Sequence, residues 1–173
     1  KEELKMKLFV FDVETDGLYG DGFAVGAVVL EDGKEVARFS GIAEPEKVKN
    51  EWVRENVIPH LDGLTEFPTR KDMRNAFWEF WMKHRDGALC FADFGSPVES
   101  GFFRACVTDD PERRMWDGPY PLHEVGTLLL AVGIDPDIDR VEFSGLKNLK
   151  KHNPVDDALA SAITIDKALS KLN

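Results

Sequence analysis

Cysteine is scarce: among 173 residues there are two, Cys90 and Cys106, each with apolar neighbours. With no CxxC pair and no Cys/His cluster, a disulfide scaffold and a structural zinc site are excluded, and the pair reads as small buried thiols in a reducing cytoplasm. Long hydrophobic runs are also missing. No segment approaches the roughly 20 apolar residues of a membrane-spanning helix. The charged stretch Lys1 to Lys7 leads straight into a strand-like segment without a signal-peptide pattern. No membrane partner is expected, and the expected compartment is cytoplasmic. Positive charge is in short supply, with 22 Lys and Arg against 32 Asp and Glu and a net charge of −10. Tight binding of long duplexes rests on Lys and Arg neutralising phosphates, so that class of partner is disfavoured. Transient contact with a single-stranded end is not, because an acidic site takes its positive charge from bound divalent cations. Internal repeats and low-complexity tracts are absent.

Apolar residues make up 43 % and charged residues 31 % of the chain, with twelve Phe and four Trp. That composition suits one globular domain spanning residues 1–173. Lys7 to Val13 is β-branched and aromatic and reads as a buried strand, and Phe23 to Leu30 as a second. Glu31-Asp32-Gly33 is a hairpin turn of the Asp-Gly kind, leading into an alternating third strand from Lys34 to Ser40. A helix is expected from about Pro45 to Ile58. A second is capped by Thr69 and carries Met73, Ala76, Phe77, Phe80 and Trp81 at helical spacing. Ala88 to Asp93 is a short strand, and Pro97 opens a helix to about Val107. Surface loops are expected from Asp109 to Pro119 and from Gly133 to Lys151. Between them Leu122 to Val125 forms a fifth strand, followed by a short helix through Leu130. Asn153 caps and Pro154 opens the final helix, to about Leu172. The order β-β-β-α-α-β-α-β-α-α makes an α/β domain: a mixed five-stranded sheet, a three-strand antiparallel meander plus parallel strands, flanked by helices.

Two acidic clusters stand out. Asp12 and Glu14 close the first strand in Phe11-Asp12-Val13-Glu14-Thr15-Asp16-Gly17. Residues two apart on a strand point to the same side, so two carboxylates project together from an otherwise apolar strand. Such a pair is costly without compensation, which two hard divalent cations about 4 Å apart would supply. A polar strand end entering the Asp16-Gly17 turn fits these seven residues equally well. The second cluster is His152-Asn153-Pro154-Val155-Asp156-Asp157-Ala158. Asp at a helix start also interacts favourably with the helix dipole, a role that suits Asp156 better than Asp157.

Asp12-x-Glu14-Thr15-x-Gly17 resembles the first motif of the DEDD exonuclease superfamily, and His152-x4-Asp157-Ala158 resembles its third, in the variant named DEDDh for that histidine. The two lie near opposite ends of the chain, as in the proofreading epsilon subunit of bacterial replicases, and the resemblance covers nearly the whole sequence. It implies a ribonuclease-H-like fold. The middle motif departs from the pattern, which has an Asp in the first turn of the helix after the fourth strand. In Gly95-Ser96-Pro97-Val98-Glu99-Ser100-Gly101-Phe102-Phe103, Glu99 holds that register, while Asp93 at the strand end is the shorter carboxylate the family prefers. Both stand as candidates.

The resemblance implies a 3'→5' exonuclease releasing nucleoside 5'-monophosphates from nucleic-acid 3' ends. Two Mg²⁺ or Mn²⁺ ions would be held by Asp12, Glu14, Asp157 and the middle carboxylate, with His152 as general base. Thr15 and Gly17 would bring backbone to the terminal nucleotide, Leu18 would pack on its base, and Phe94 and Phe102 are further stacking candidates, with core packing the better reading of Phe102. Single-stranded DNA and RNA 3' ends both suit the site, with Arg113, Arg114, Lys147, Lys150 and Lys151 as a modest basic cluster. A polymerase or other protein partner is compatible but not written in the sequence, and Trp52, Trp78, Trp81 and Trp116 read as core or edge packing. The altered middle motif raises one alternative, a catalytically impaired pseudo-exonuclease serving as a nucleic-acid- or protein-binding module. A dehalogenase-like phosphatase would need Asp-x-Asp where this chain has Asp12-x-Glu14.

Overall fold

In the computed structural model, which describes residues 6–172, the first strand sets the frame by alternating between two apolar faces. Strand β1 (Lys7–Thr15) turns Phe9, Phe11 and Val13 to one side and Leu8 and Val10 to the other. It pairs antiparallel with β2 (Gly22–Glu31), which pairs antiparallel with β3 (Lys34–Ala43). The hairpin between β2 and β3 is the expected one, with Asp32 and Gly33 both at positive φ, 50° and 74°. On its other side β1 pairs parallel with β5 (Ala88–Ala92), and β5 pairs parallel with β6 (His123–Glu124). The charged segment Lys1 to Lys5 lies outside the described residues.

The sheet has six strands, not five, in the order β4-β3-β2-β1-β5-β6. The additional one, β4 (Glu66–Phe67), is a two-residue parallel edge on Ile42 and Ala43. Two residues are too few to show an alternation, so only tertiary pairing defines it. The expected long helix from Pro45 to Ile58 is also corrected. A 3-10 turn (Pro45–Lys47) and an extended stretch precede helix α1 (Glu51–Asn56), and a second 3-10 turn (Ile58–His60) follows. Asp16, across the molecule, accepts from the amides of Lys49 at 3.0 Å and Asn50 at 2.8 Å, which holds the chain extended there. The Asn50 side chain in turn accepts from the Val53 amide at 3.1 Å and starts the helix at Glu51.

Helices α2 (Arg70–His84) and α3 (Val98–Asp109) cover one face of the sheet. Thr69 caps α2 by accepting from the Asp72 amide at 3.1 Å. This layer is aromatic: Phe9 meets Trp81 edge-on at 5.0 Å, and Phe11 meets Phe103 likewise at 5.0 Å. Phe102, 3 % exposed, belongs to this core. The opposite face is covered by α5 (Val125–Ala131) and α7 (Pro154–Leu169), where Ala158, Ala162, Ile165 and Ala168 pack on Leu8, Val10 and Val28. Both expected loops contain a helical turn. In the first, α4 (Pro111–Arg114) buries Arg114, which donates to the Cys106 carbonyl at 2.8 Å. In the second, α6 (Arg140–Ser144) is capped by Asp139 and stopped by Gly145 at φ 73°. Cys90 and Cys106 are buried free thiols. Among the described residues no helix is long and apolar enough to cross a membrane.

The small residues of α7 let it lie close to the sheet, and at Gly26 of β2 the approach is closest. A Cβ built there would stand 2.3 Å from the backbone of Pro154 and Val155. Because the obstacle is backbone, Gly26→Ala is expected to displace the start of α7 and cost about 1–3 kcal/mol, read from urea unfolding midpoints. An unchanged midpoint would show that the helix yields freely.

Candidate active site

Asp12 and Glu14 lie at the end of β1 on the face covered by α7, continuing the line of Leu8 and Val10. Asp12 stands opposite Gly26 in the β1–β2 ladder, so the helix start that crowds Gly26 also hangs over Asp12. Asn153 caps that start, accepting from the Val155 amide at 3.2 Å, and Asp157 follows within the first turns. One carboxylate oxygen from each of Asp12, Glu14 and Asp157 falls within 4.8 Å of the others.

A fourth carboxylate arrives from the other side of the sheet. The β1–β5 ladder ends at Val10 and Phe91, which leaves the later amides of β1 without a strand partner on that side. Glu99, in the first turn of α3, reaches around this gap and accepts from the Val13 amide at a long 3.4 Å. Glu99 is 3 % exposed, and its Oε2 is buried with no hydrogen-bond partner. Such an orphaned oxygen costs stability unless another group answers it. Asp93, the rival for the middle position, also lines the cleft, but its Oδ1 accepts from Arg140 Nε at 3.1 Å and Nη2 at 2.8 Å. Arg140 is the one arginine or lysine among the described residues lining the cleft, so its charge is already paired.

The electrostatics follow from this crowding. Burial pushes the Asp12 carboxyl well above the ordinary range, and Glu14, Glu99, Asp157 and Asp93 push it further. Burial, then Asp157 and Glu99, raise Glu14 to about 8. Burial raises Glu99 to about 7 against the Glu99 and Val13 amides, which favour the charged form. Asp157 is raised to about 7 by burial, opposed by the His152 amide. Burial and mutual repulsion thus push all four carboxyls of the cluster upward.

An all-oxygen donor set suits hard divalent cations. Oxygens bound to one such ion at 2.0–2.6 Å lie at most about 4–5 Å apart, and the spacing of Asp12, Glu14 and Asp157 fits that limit. The partnerless Glu99 Oε2 is a further donor beside them. The residues present therefore fit a Mg²⁺- or Mn²⁺-type centre. No family model matches the chain, and a search of the curated proteins finds no match.

His152 sits beside the cluster at a left-handed φ of 62°, with its ring edge-on to Trp52 at 5.9 Å. The loop carrying it is tied to the second 3-10 turn, where Asn153 Nδ2 donates to the His60 carbonyl at 3.3 Å. Asp156 accepts from the Lys150 amide at 2.8 Å and thus holds the same loop. The cleft, about 510 Å³, is also lined by Leu18 and Phe94, 61 % and 76 % exposed. Thr15 and Gly17 are not brought to it. Gly17, at φ 81°, turns the chain out of β1, its amide donating to the Thr15 carbonyl. Trp52 and Arg140 are cleft residues that sequence reasoning missed. In the sequence Trp52 reads as core or edge packing, and Arg140 stands in a segment that reads as loop, although Asp139 before it and Gly145 after it are cap signals. The expected basic cluster disperses: Arg114 is buried, Lys150 pairs with Asp62 at 2.6 Å and Lys151 with Asp139 at 2.8 Å.

Raised carboxylate pKa values make folding bind protons. The stability these groups contribute is fully present below their unfolded values and is lost as pH rises through about 7 to 8. In chelator, the melting temperature is expected to fall between about pH 5 and pH 8, and Mg²⁺ is expected to raise it more at the upper end. A flat profile with no Mg²⁺ response would remove the cluster as a cation site.

Proposed function

We propose that this cleft is the active centre of a metal-dependent 3'→5' exonuclease of the DEDDh type on a ribonuclease-H-like fold. It would hydrolyse phosphodiester bonds at DNA or RNA 3' ends and release nucleoside 5'-monophosphates. The observation that carries this is the convergence of Asp12, Glu14, Glu99 and Asp157 from three separate elements at one sheet end, with His152 beside them. Asp12, Glu14 and Asp157 would hold one Mg²⁺ or Mn²⁺, and Asp12 with Glu99 a second. Glu99 takes the middle position because it has a free buried oxygen, whereas Asp93 is engaged by Arg140. Bound there, the ions supply positive charge for an attacking water and for the departing oxygen. His152, beside the cluster at the rim of the cleft, accepts the proton of that water as general base. The water oxygen bonds to phosphorus, the P–O3' bond breaks with its electron pair going to the departing oxygen, and that oxygen takes a proton from solvent, so the shortened strand leaves with a 3'-hydroxyl. Leu18 and Phe94 pack on the terminal base, and Trp52 supports the imidazole edge-on. The free, buried state of Cys90 and Cys106 agrees with a reducing cytoplasm as the place of work.

The test is a time course on 5'-labelled single-stranded DNA and RNA with Mg²⁺, Mn²⁺ or chelator. A metal-dependent ladder shortening from the 3' end is the expected result. No cleavage by folded protein would favour the impaired binding module, with Glu99 in the Asp position as the reason. Asp12→Ala and Asp157→Ala are expected to abolish cleavage without lowering the metal-free melting temperature, since each relieves repulsion. His152→Ala is expected to lose about 10²- to 10⁴-fold in rate while Mg²⁺ still raises the melting temperature.

A further inference from the structure

Two recesses leave the cleft, and their charges differ in sign. One, about 550 Å³, opens past Phe94 towards α5 and α6, where Arg140 and Lys151 face five carboxylates: Asp93, Glu124, Asp137, Asp139 and Asp157. Both cations there are already in ion pairs. The other runs the opposite way. It shares Leu18, Ser96, Pro97 and Val98 with the cleft, passes Tyr19 and Arg104, and continues through Gly20, Asp21 and Arg74 into a recess of about 560 Å³. Along this second path stand six cations, Arg104, Arg74, Arg70, Lys71, Lys49 and Lys47, against three carboxylates, Asp16, Asp21 and Glu44. On a chain of net charge −10 this is a local reversal of sign.

Lys47 is paired with Glu44 and Arg74 with Asp109, but the remaining positive charge is largely available. Among the described residues, Arg104, Lys71 and Lys49 form no ion pair. Arg70 meets Asp21 only at 3.6 Å, and its Nε is buried without a hydrogen-bond partner. Tyr19, 86 % exposed, stands where the path leaves the cleft, next to Leu18.

We infer that this path is the track for the 5'-ward part of a single-stranded nucleic acid whose 3' end occupies the cleft. Phosphates lie against Arg104, Lys71 and Arg70, and a base stacks on Tyr19. Cations tracking a backbone beside an aromatic platform are the chemistry of single-strand binding. The acidic recess repels phosphates and does not carry the strand. This inference rests on the exonuclease proposal for the direction of the strand, but not for the existence of the binding path.

The experiment therefore has a readout separate from cleavage. Binding of a 5'-fluorescein-labelled oligothymidylate 20-mer is followed by anisotropy in chelator, across a salt series, for the native chain, for Lys71→Glu/Arg104→Glu and for Tyr19→Ala. All three substituted side chains are exposed. The double variant is expected to weaken binding at least about tenfold. Its slope of log affinity against log salt should shrink by about 1.4, the value for two single-strand phosphate contacts. Tyr19→Ala is expected to lose about five- to a hundredfold with the slope unchanged. With Mg²⁺, the double variant should raise KM for the 20-mer and leave kcat and cleavage of a dinucleotide as they were. Unchanged affinity and KM in the double variant, or no binding by the native chain, overturns the track. Binding that depends on Lys71 and Arg104 without any cleavage overturns the exonuclease reading and leaves the track standing.

Discussion

The close approach of the last helix to Gly26 is the contact on which the rest of the site depends. With no side chain at that rung, the backbone of Pro154 and Val155 lies directly on β2, opposite Asp12 in the neighbouring strand. Helix geometry then brings Asp157 over Asp12 and Glu14, and the loop before the helix brings His152 to the rim. Small residues along the same helix face, Ala158 and Ala162, continue the contact over Leu8 and Val10. A larger residue at any of these points would lift the helix and separate the carboxylates, because packed interiors transmit volume changes of even one methylene.

That contact forces like charges together, and the fold sustains the repulsion through its other face. Phe9, Phe11, Phe77, Trp81 and Phe103 form an edge-to-face aromatic layer under β1, which anchors the strand bearing Asp12 and Glu14. Glu99 comes from that same layer and enters the site only because the β5 ladder stops at Phe91, leaving the Val13 amide open. The gap in the sheet and the fourth carboxylate are one feature. Arg140 does not relieve the cluster, since Asp93 and the Ile138 carbonyl already occupy its guanidinium. The net charge of the chain also conceals its distribution, with acid gathered at the cleft and towards α6 and base gathered between α2 and the β1–β2 turn.

Much of this architecture is legible from local chemistry. The apolar, β-branched and aromatic run of Lys7 to Val13, the Asp32-Gly33 turn, and the caps at Thr69 and Asn153 each depend on neighbours a few residues away, and each stands where the sequence places it. The pairing of Asp12 with Glu14 on one side of a strand follows from the two-residue period alone. Asp156 as a structural helix-start charge, distinct from Asp157, is local in the same way.

Tertiary structure decided the rest. Nothing near Lys49 and Asn50 shows that Asp16 will claim their amides and delay the helix to Glu51. Nothing near Glu66 shows an edge strand, since its partners Ile42 and Ala43 are remote. That Asp93 is engaged while Glu99 keeps an unpartnered oxygen depends on an arginine 47 residues after Asp93, and the exposure of Trp52 and Tyr19 depends on which surfaces remained uncovered. Periodicity and capping act over one or two turns of chain and so are written in consecutive residues. Burial, charge compensation and the sign of a surface path are sums over groups distant in sequence, and they acquire values only when the chain has closed.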